Sequence, residues 1–192
     1  TSSIQYPASS ISTAVAKHYN ASMATHRFHV EDLGGASVTL DRDESKHAVR
    51  SLRVGVGDRV ELFDGAGAIA TGRVTSARSS EVIIEIDARR DVPRQRLHVE
   101  VAAAVPKGAR ADTMIEKLTE CGCDRLVPML TKRSVVDPRA GKRDRWSRIV
   151  VEATKQCGRA WLMDVVKPTP IDRVIAEADH DLKLIAHTTD DS

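Results

Sequence analysis

Aromatic residues are scarce in this chain: Phe, Trp and Tyr together make up 3% of its 192 residues. Its core must therefore be aliphatic. Cysteine is equally sparse. Cys121, Cys123 and Cys157 form an odd set, which argues against a disulfide framework and fits a reducing compartment. Cys121-Gly122-Cys123 has no second Cys-x-x-Cys and no paired His to complete a zinc site, so the thiols read as small buried groups and no metal is expected. No apolar run approaches the roughly 18 residues of a membrane span, so no membrane partner is expected. The net charge of +2 decides nothing. The distribution of charge is more informative.

Residues 1–22 are rich in Ser, Thr and Ala, with no acid and one Lys. They lack the apolar core of a secretory signal and the arginines of a transit peptide. We read them as a disordered leader, or as translated sequence upstream of a start at Met23. Residues 26–93 then read as short strands spaced by glycine turns, which suggests a small barrel. Strands are expected at Phe28-His29-Val30, Ser37–Leu40, Val60–Phe63, Ile69–Val74 and Glu81–Ile86. A short helix is expected from Ser45 to Leu52, capped by Asp43. Asp64-Gly65 is a hairpin turn signal. Gly65-x-Gly67-x-x-Ala70 has the spacing of a dinucleotide fingerprint but sits in a hairpin and opens no helix, so we reject that reading.

The polar stretch 88–96 reads as a domain boundary. Residues 97–192 change character. Leu97–Val105 is a mostly apolar run suited to a buried strand. A helix follows from Ala109 to Cys121, with Met114, Ile115 and Leu118 on one face and Gly122 at its stop. Further strands are expected at Asp124–Leu130, Met163–Val166 and Leu182–His187, with helices at Asp144–Gly158 and from Pro170 to Ala178. This βαβαβαβ order means an α/β domain with a parallel sheet. Ligands in such sheets sit beyond the C-terminal strand ends. Those ends carry Pro106-Lys107-Gly108, Thr131-Lys132-Arg133-Ser134 and His187-Thr188-Thr189.

From Lys132 to Arg148 there are seven basic residues against two acids. A loop this basic on the ligand side of a sheet suits phosphate contacts, although charge runs are commonly solvated surface. Gln156 and Arg159 share a helix face. They could read a base edge and hold a phosphate, or Arg159 could serve helix capping. His187 is a lone histidine at a strand end. Asp112 and Glu116 lie one helical turn apart, as solvated carboxylates commonly do. There is no nucleophile–base pair, no metal-ligand cluster and no phosphate loop, so a hydrolase or kinase has no support.

Several stretches together resemble one family. They are Arg27-Phe28; His47 with Arg50-Ser51-Leu52-Arg53 and Gly57-Asp58; Leu62–Gly65; Pro106-Lys107-Gly108; Glu116–Gly122; Pro128–Ser134; Arg145-Trp146 through Ala153; Gln156-Cys157-Gly158-Arg159; and Leu184–His187. In order and spacing they resemble RsmE-type 16S rRNA (uracil-N3)-methyltransferases of the SPOUT class. The resemblance implies a PUA-like β-barrel followed by an α/β-knot domain that binds S-adenosylmethionine. It implies a cytoplasmic homodimer acting on the small ribosomal subunit by methylating N3 of one uridine in 16S rRNA. Arg27, Arg50 and Arg53 would contact RNA from the barrel. Arg133, Gln156 and Arg159 would line the RNA-facing side of the second domain. His187 would mark the first edge of the cofactor pocket, and no catalytic base is assigned. Family members continue past the position of His187 with a glycine-rich loop and an Arg-x-Leu-Arg-Thr-Glu-Thr-Ala segment that complete the knot. The α/β domain is therefore expected to be its first part only. Two alternatives stand beside the enzyme: a noncatalytic RNA-binding or ribosome-assembly protein of the same fold, and a SPOUT enzyme acting on another RNA position.

Overall fold

Between Arg59 and Ile86 apolar side chains alternate with polar ones, and in the computed structural model this alternation buries one face of an antiparallel sheet. The structure describes residues 26–132 and 140–186, without the side chains of 140–143. The first domain contains β1 (His26–His29), β2 (Ser37–Thr39), α1 (Arg42–Arg50), β3 (Arg59–Phe63), β4 (Ala68–Arg78) and β5 (Glu81–Asp91). Its sheet runs β1-β3-β4-β5-β2, with β1 parallel to β3 and the other ladders antiparallel. The core is aliphatic, with Phe28 as its one ring: Leu33, Leu40, Val60, Leu62, Val74, Val82 and Ile84 pack around it.

The two edge strands do not pair with each other, so the described residues form an open five-stranded sheet where the sequence suggested a barrel. β1 and β2 are short, four and three residues, and after β2 the chain leaves the sheet to form α1. The cap of α1 is Asp41, not Asp43. Its Oδ1 accepts from the backbone of Asp43 and Glu44 at 2.8 Å, satisfying two of the orphan donors of the first turn. Ser45, fully buried, stitches α1 to the sheet by donating to the Leu40 carbonyl and accepting from the Val82 amide.

The second domain contains β6 (Glu100–Ala103), α2 (Ala109–Glu120), β7 (Arg125–Leu130), α3 (Ala140–Cys157), β8 (Asp164–Val165), β9 (Thr169–Pro170) and α4 (Ile171–Glu177). β6, β7 and β8 are parallel neighbours, and β9 pairs with β7 beyond β8. Pro128 explains the split. β8 pairs with β7 at Arg125 and Leu126, β9 at Met129 and Leu130, and between them stands a residue with no N–H to give. Ile115, Leu126, Trp146, Val150 and Met163 form the core between sheet and helices.

Several expected elements move. β5 runs on to Asp91, into the expected boundary, while Leu97 is 73% exposed and β6 begins only at Glu100. The strand expected at Leu182–His187 is absent from its described part, 182–186. Leu182, Leu184 and Ile185 are 72%, 83% and 92% exposed, with no ladder alongside. An apolar run without a strand to pair with has no hydrogen-bonding reason to become one.

The two domains meet along a seam centred on Arg27, whose side chain is 8% exposed. Its guanidinium donates to the carbonyls of Thr154 (2.8 Å) and Arg159 (2.7 Å) in the second domain. It lies 4.2 Å from the Phe63 ring centroid. Its Nε is 2.6 Å from Glu61 Oε1, but the N–H is not aimed along that contact, so the attraction is ionic rather than a directed hydrogen bond. Burial pulls the Arg27 pKa down and Glu61 opposes it; a guanidinium stays charged through either effect. Beside it Lys155, 7% exposed, bridges Glu44 of α1 and Glu152 of its own helix. Burial works against its charge, but the two carboxylates outweigh burial and raise its pKa above the usual 10.5. A group raised in the folded state loses its contribution only as pH rises through that value, so this contact is intact throughout the neutral range.

The hairpin glycines complete the seam. Gly65 (φ +73°) and Gly67 (φ +110°) are backed by Leu162 and Trp161, and a Cβ on either would come within 2.5 Å of those side chains. Phe63, Ile69 and Ala160 form a small core there with Val92, Trp161 and Leu162. The spacing that imitates a nucleotide fingerprint thus serves domain docking.

Replacing Arg27 by Ala strands Glu61 and two carbonyls, and should cost about 3 kcal/mol of unfolding free energy, the usual loss when one member of a buried pair is removed. Arg27→Lys should recover less than half, because one ammonium cannot serve both carbonyls, the carboxylate and the ring. Urea denaturation checks both; a loss under 0.5 kcal/mol for Arg27→Ala would refute the role.

Candidate nucleic-acid interface

Phosphate recognition needs cations that are exposed and not already paired. Along α1 the residues Arg42, Lys46, His47 and Arg50 are exposed, and Arg53 follows just after the helix. Among the described residues, Arg42, Lys46, Arg50 and Arg53 make no ion pair. Arg53 is also the one non-glycine residue with positive φ among the described residues, at +57°. It stands where helices commonly end in a left-handed glycine. A side chain there costs about 1 kcal/mol relative to glycine. The backbone turn ends the helix, but the arginine side chain itself makes no hydrogen bond or ion pair among the described residues that would offset that cost. Arg50 and Arg53 are thus exposed and make no ion pair among the described residues.

Arg27 and Arg159 are not. Both were expected on RNA, and both turn inward. Arg159 donates to the carbonyls of Thr119 and Cys123 at 3.1 Å and lies 3.5 Å from Asp124. It closes the C-terminus of α2, so capping is the reading the structure supports, applied to the neighbouring helix rather than its own. This contact also fixes its edge. Asp124 and Arg159 stand before β7 and β8, at the N-terminal end of the parallel sheet, opposite the strand ends where ligands sit. Gln156 is exposed and lines a groove of about 330 Å³ between α2 and α3. Glu116, Glu120 and Glu152 line the same groove with Arg148, and the three carboxylates are paired with Lys117 and Lys155. Lys117 ties Glu116 and Glu120 together, and Asp112 pairs with Arg145 at 2.5 Å.

On the ligand side, parallel register brings Ala103 beside Pro128, so Pro106-Lys107-Gly108 and Thr131-Lys132 share one edge. Gly108 has φ +63° and open space where a Cβ would stand. Arg133 and His187 lie outside the described residues. No helix among the described residues is long and apolar enough to cross a membrane, and among them no three His, Cys, Asp or Glu side chains converge as metal ligands would.

Sequence reasoning passed over Arg90, Arg94 and Trp161. Residues 88–96 were read as a boundary, yet Arg89, Arg90, Arg94 and Arg96 crowd around Pro93 there. Arg90 and Arg94 face the seam at Trp161. The charge run was the visible signal; which aromatic ring it would meet was not.

The RNA methyltransferase domain model matches residues 93–192, and the RNA methyltransferase PUA domain model matches residues 40–87. This chain is a member of the RNA methyltransferase family. Its relatives include ribosomal RNA small subunit methyltransferase E of Mycobacterium tuberculosis, 32% identical over 157 residues, covering 78% of this chain and 60% of the relative. The Synechocystis protein of the same name is 31% identical over 140 residues, covering 72% of this chain and 45% of the relative. Among solved structures, Lpg2936 of Legionella pneumophila, determined with SAM bound, superposes with a TM-score of 0.78 at 28% identity, over 85% of this chain and 70% of the other. Ribosomal RNA small subunit methyltransferase E of Neisseria gonorrhoeae, bound to S-adenosyl methionine, gives 0.72 at 26%, over 81% and 66%. The chain thus spans about half to three-fifths of the length of the first two relatives. The RsmE resemblance drawn from the motifs is borne out by these matches.

In this methyltransferase-family chain the cysteines divide differently from expectation. Cys121 and Cys157 are exposed, and only Cys123 is buried, where burial pushes its thiol pKa up. Iodoacetamide at mildly alkaline pH should therefore alkylate two of the three native cysteines and reach Cys123 only after denaturation. Peptide mass mapping checks this; rapid labelling of Cys123 would contradict the packing.

Proposed function

We propose that this chain is part of an S-adenosylmethionine-dependent methyltransferase acting on N3 of a uridine in 16S rRNA. The observation that carries the reading is the pairing of two family domains in order, a PUA domain and then an RNA methyltransferase domain, on one chain. Relatives named for small-subunit rRNA methylation and superposition on SAM-bound structures support it. The first domain is read as PUA-like and the second as the first part of an α/β-knot domain.

When bound, S-adenosylmethionine supplies an electrophilic methyl group on sulfonium sulfur. The edge carrying Lys107 and Gly108 fits this group: Gly108 leaves room for close approach, and Lys107 offers a cation to its carboxylate. With His187 they would hold the donor. The protein's remaining task is to place the uracil so that N3, once its proton is removed, faces the methyl group, and to exclude water. Arg50 and Arg53, with Arg42 and Lys46 beside them, would hold the RNA backbone, and Arg133 would add to that surface. A homodimer in the cytoplasm belongs to the same reading, and sedimentation velocity of the full-length protein tests the pairing.

The deciding experiment incubates the full-length protein with S-adenosylmethionine and small subunits lacking the modification. Methylation at uridine N3 blocks Watson–Crick pairing, so a reverse-transcription stop and nucleoside mass spectrometry should both report it. Binding without methyl transfer would favour the assembly-protein alternative; methyl on another atom would favour the sister enzyme. Arg53→Gly separates fold from function. It should raise stability by about 1 kcal/mol while weakening RNA binding and lowering its salt slope by about one. Unchanged RNA affinity would remove Arg53 from the interface.

A further inference from the structure

We infer that the seam between the two domains carries a stacking subsite for one unpaired nucleotide of single-stranded RNA, built from Trp161, Arg94 and Arg90. This rests on the RNA reading above and adds a site that reading does not contain.

Trp161 is singular. Among the described Phe, Trp and Tyr residues, Phe28, Phe63 and Trp146 are buried, and Trp161 alone reaches solvent. Its ring is held rigidly. One side packs against the bare Cα of Gly67, where a Cβ would lie 2.4 Å from the ring. The indole Nε1 donates to the Val92 carbonyl at 2.9 Å, and a β-bridge joins the backbone of Trp161 to Ala66. Over the ring sits the Arg94 guanidinium, 4.8 Å from the ring centroid. Arg94 is exposed and, like Arg90, makes no ion pair among the described residues. The ring contact is thus its one described charge interaction, and such an exposed cation–π contact is weak and readily exchanged.

These residues line an opening of about 270 Å³. Arg159 and Asp124 also line it, but they are committed to each other and to α2. The free groups that remain are one fixed aromatic plane and two unpaired guanidinium groups. That is the donor set of single-strand recognition: a base stacks on the ring or between ring and guanidinium, and the flanking phosphate meets the second cation. A duplex offers no free base face, and the apolar lining of Ile69, Val92 and Ala160 is already taken up by the seam's own core, so a protein partner would gain little beyond the two unpaired arginines. The subsite lies at the N-terminal edge of the parallel sheet, away from the strand ends. It would grip the strand beside the target and leave the reacting base to the other edge.

The test uses the full chain and a fluorescein-labelled single-stranded oligouridylate of about ten nucleotides, the span of one small domain's groove. Binding should quench tryptophan emission, since Trp146 is buried and only Trp161 can be reached. Arg94→Ala and Arg90→Ala should each lower the salt slope of binding by about one. Trp161→Leu should weaken binding about tenfold, the usual loss of one stacked base, and Trp161→Phe should retain most of the affinity. Arg94 is exposed and bears on no core, so Arg94→Ala reports even if Trp161→Leu disturbs the seam. Wild-type affinity and salt slope in Arg90→Ala and Arg94→Ala, or equal competition by blunt duplex RNA, would overturn the subsite while leaving the methyltransferase reading intact. If the wild type binds no RNA, both fail together.

Discussion

A single guanidinium decides how the two halves of this molecule face each other. Arg27 enters from the first strand of one domain and ends on two carbonyls of the other, stacked on Phe63 and balanced by Glu61. Few other side chains could do this. The two carbonyls need a planar, forked donor; the ring needs a flat cation; and burial requires a charge that does not titrate away. A buried ion pair contributes little by itself. Here the carbonyls and the ring complete the coordination, so the group is anchored rather than merely neutralised.

The position of that anchor shapes the rest. It attaches the PUA-type domain to the N-terminal edge of the parallel sheet, through the end of α3 and the turn after it. The opposite edge, with Lys107 and Gly108, is left clear of the first domain's described contacts. The exposed cations of α1 and the edge bearing Lys107 and Gly108 are in this way held apart by the packed elements between them. The Glu44–Lys155 pair and the glycine-backed Leu162 and Trp161 keep the attachment from pivoting.

Much of this was legible in the sequence. Alternating apolar residues gave the strands of the first domain, three-and-four spacing gave α2, and Gly122 marked its end. Motif order identified the family. What escaped was what depends on the other domain. Arg27 and Arg159 look like any phosphate-binding arginine until their partners, more than thirty positions away in sequence, are known. The Leu182–Ile185 run reads as a strand because local pattern cannot say whether a ladder is available. The open sheet escaped for a related reason: alternation reports which face is buried, not whether the two edges meet. Arg53 is a subtler case, since nothing in its neighbours announces a left-handed backbone.

Residues 92–99 contain a proline and two arginines and are mostly exposed, the features of a tether whose length drifts freely. Yet both ends are pinned. Val92 donates to the Gly67 carbonyl and accepts from Trp161, while Val99 exchanges hydrogen bonds with Asp124. A strap fixed at both ends has a minimum length: an insertion can bulge into solvent, but a deletion that no longer spans the two anchors must break one of them. A chimera that exchanges one domain must therefore keep both anchor sets, Gly67 with Trp161 at one end and Asp124 at the other.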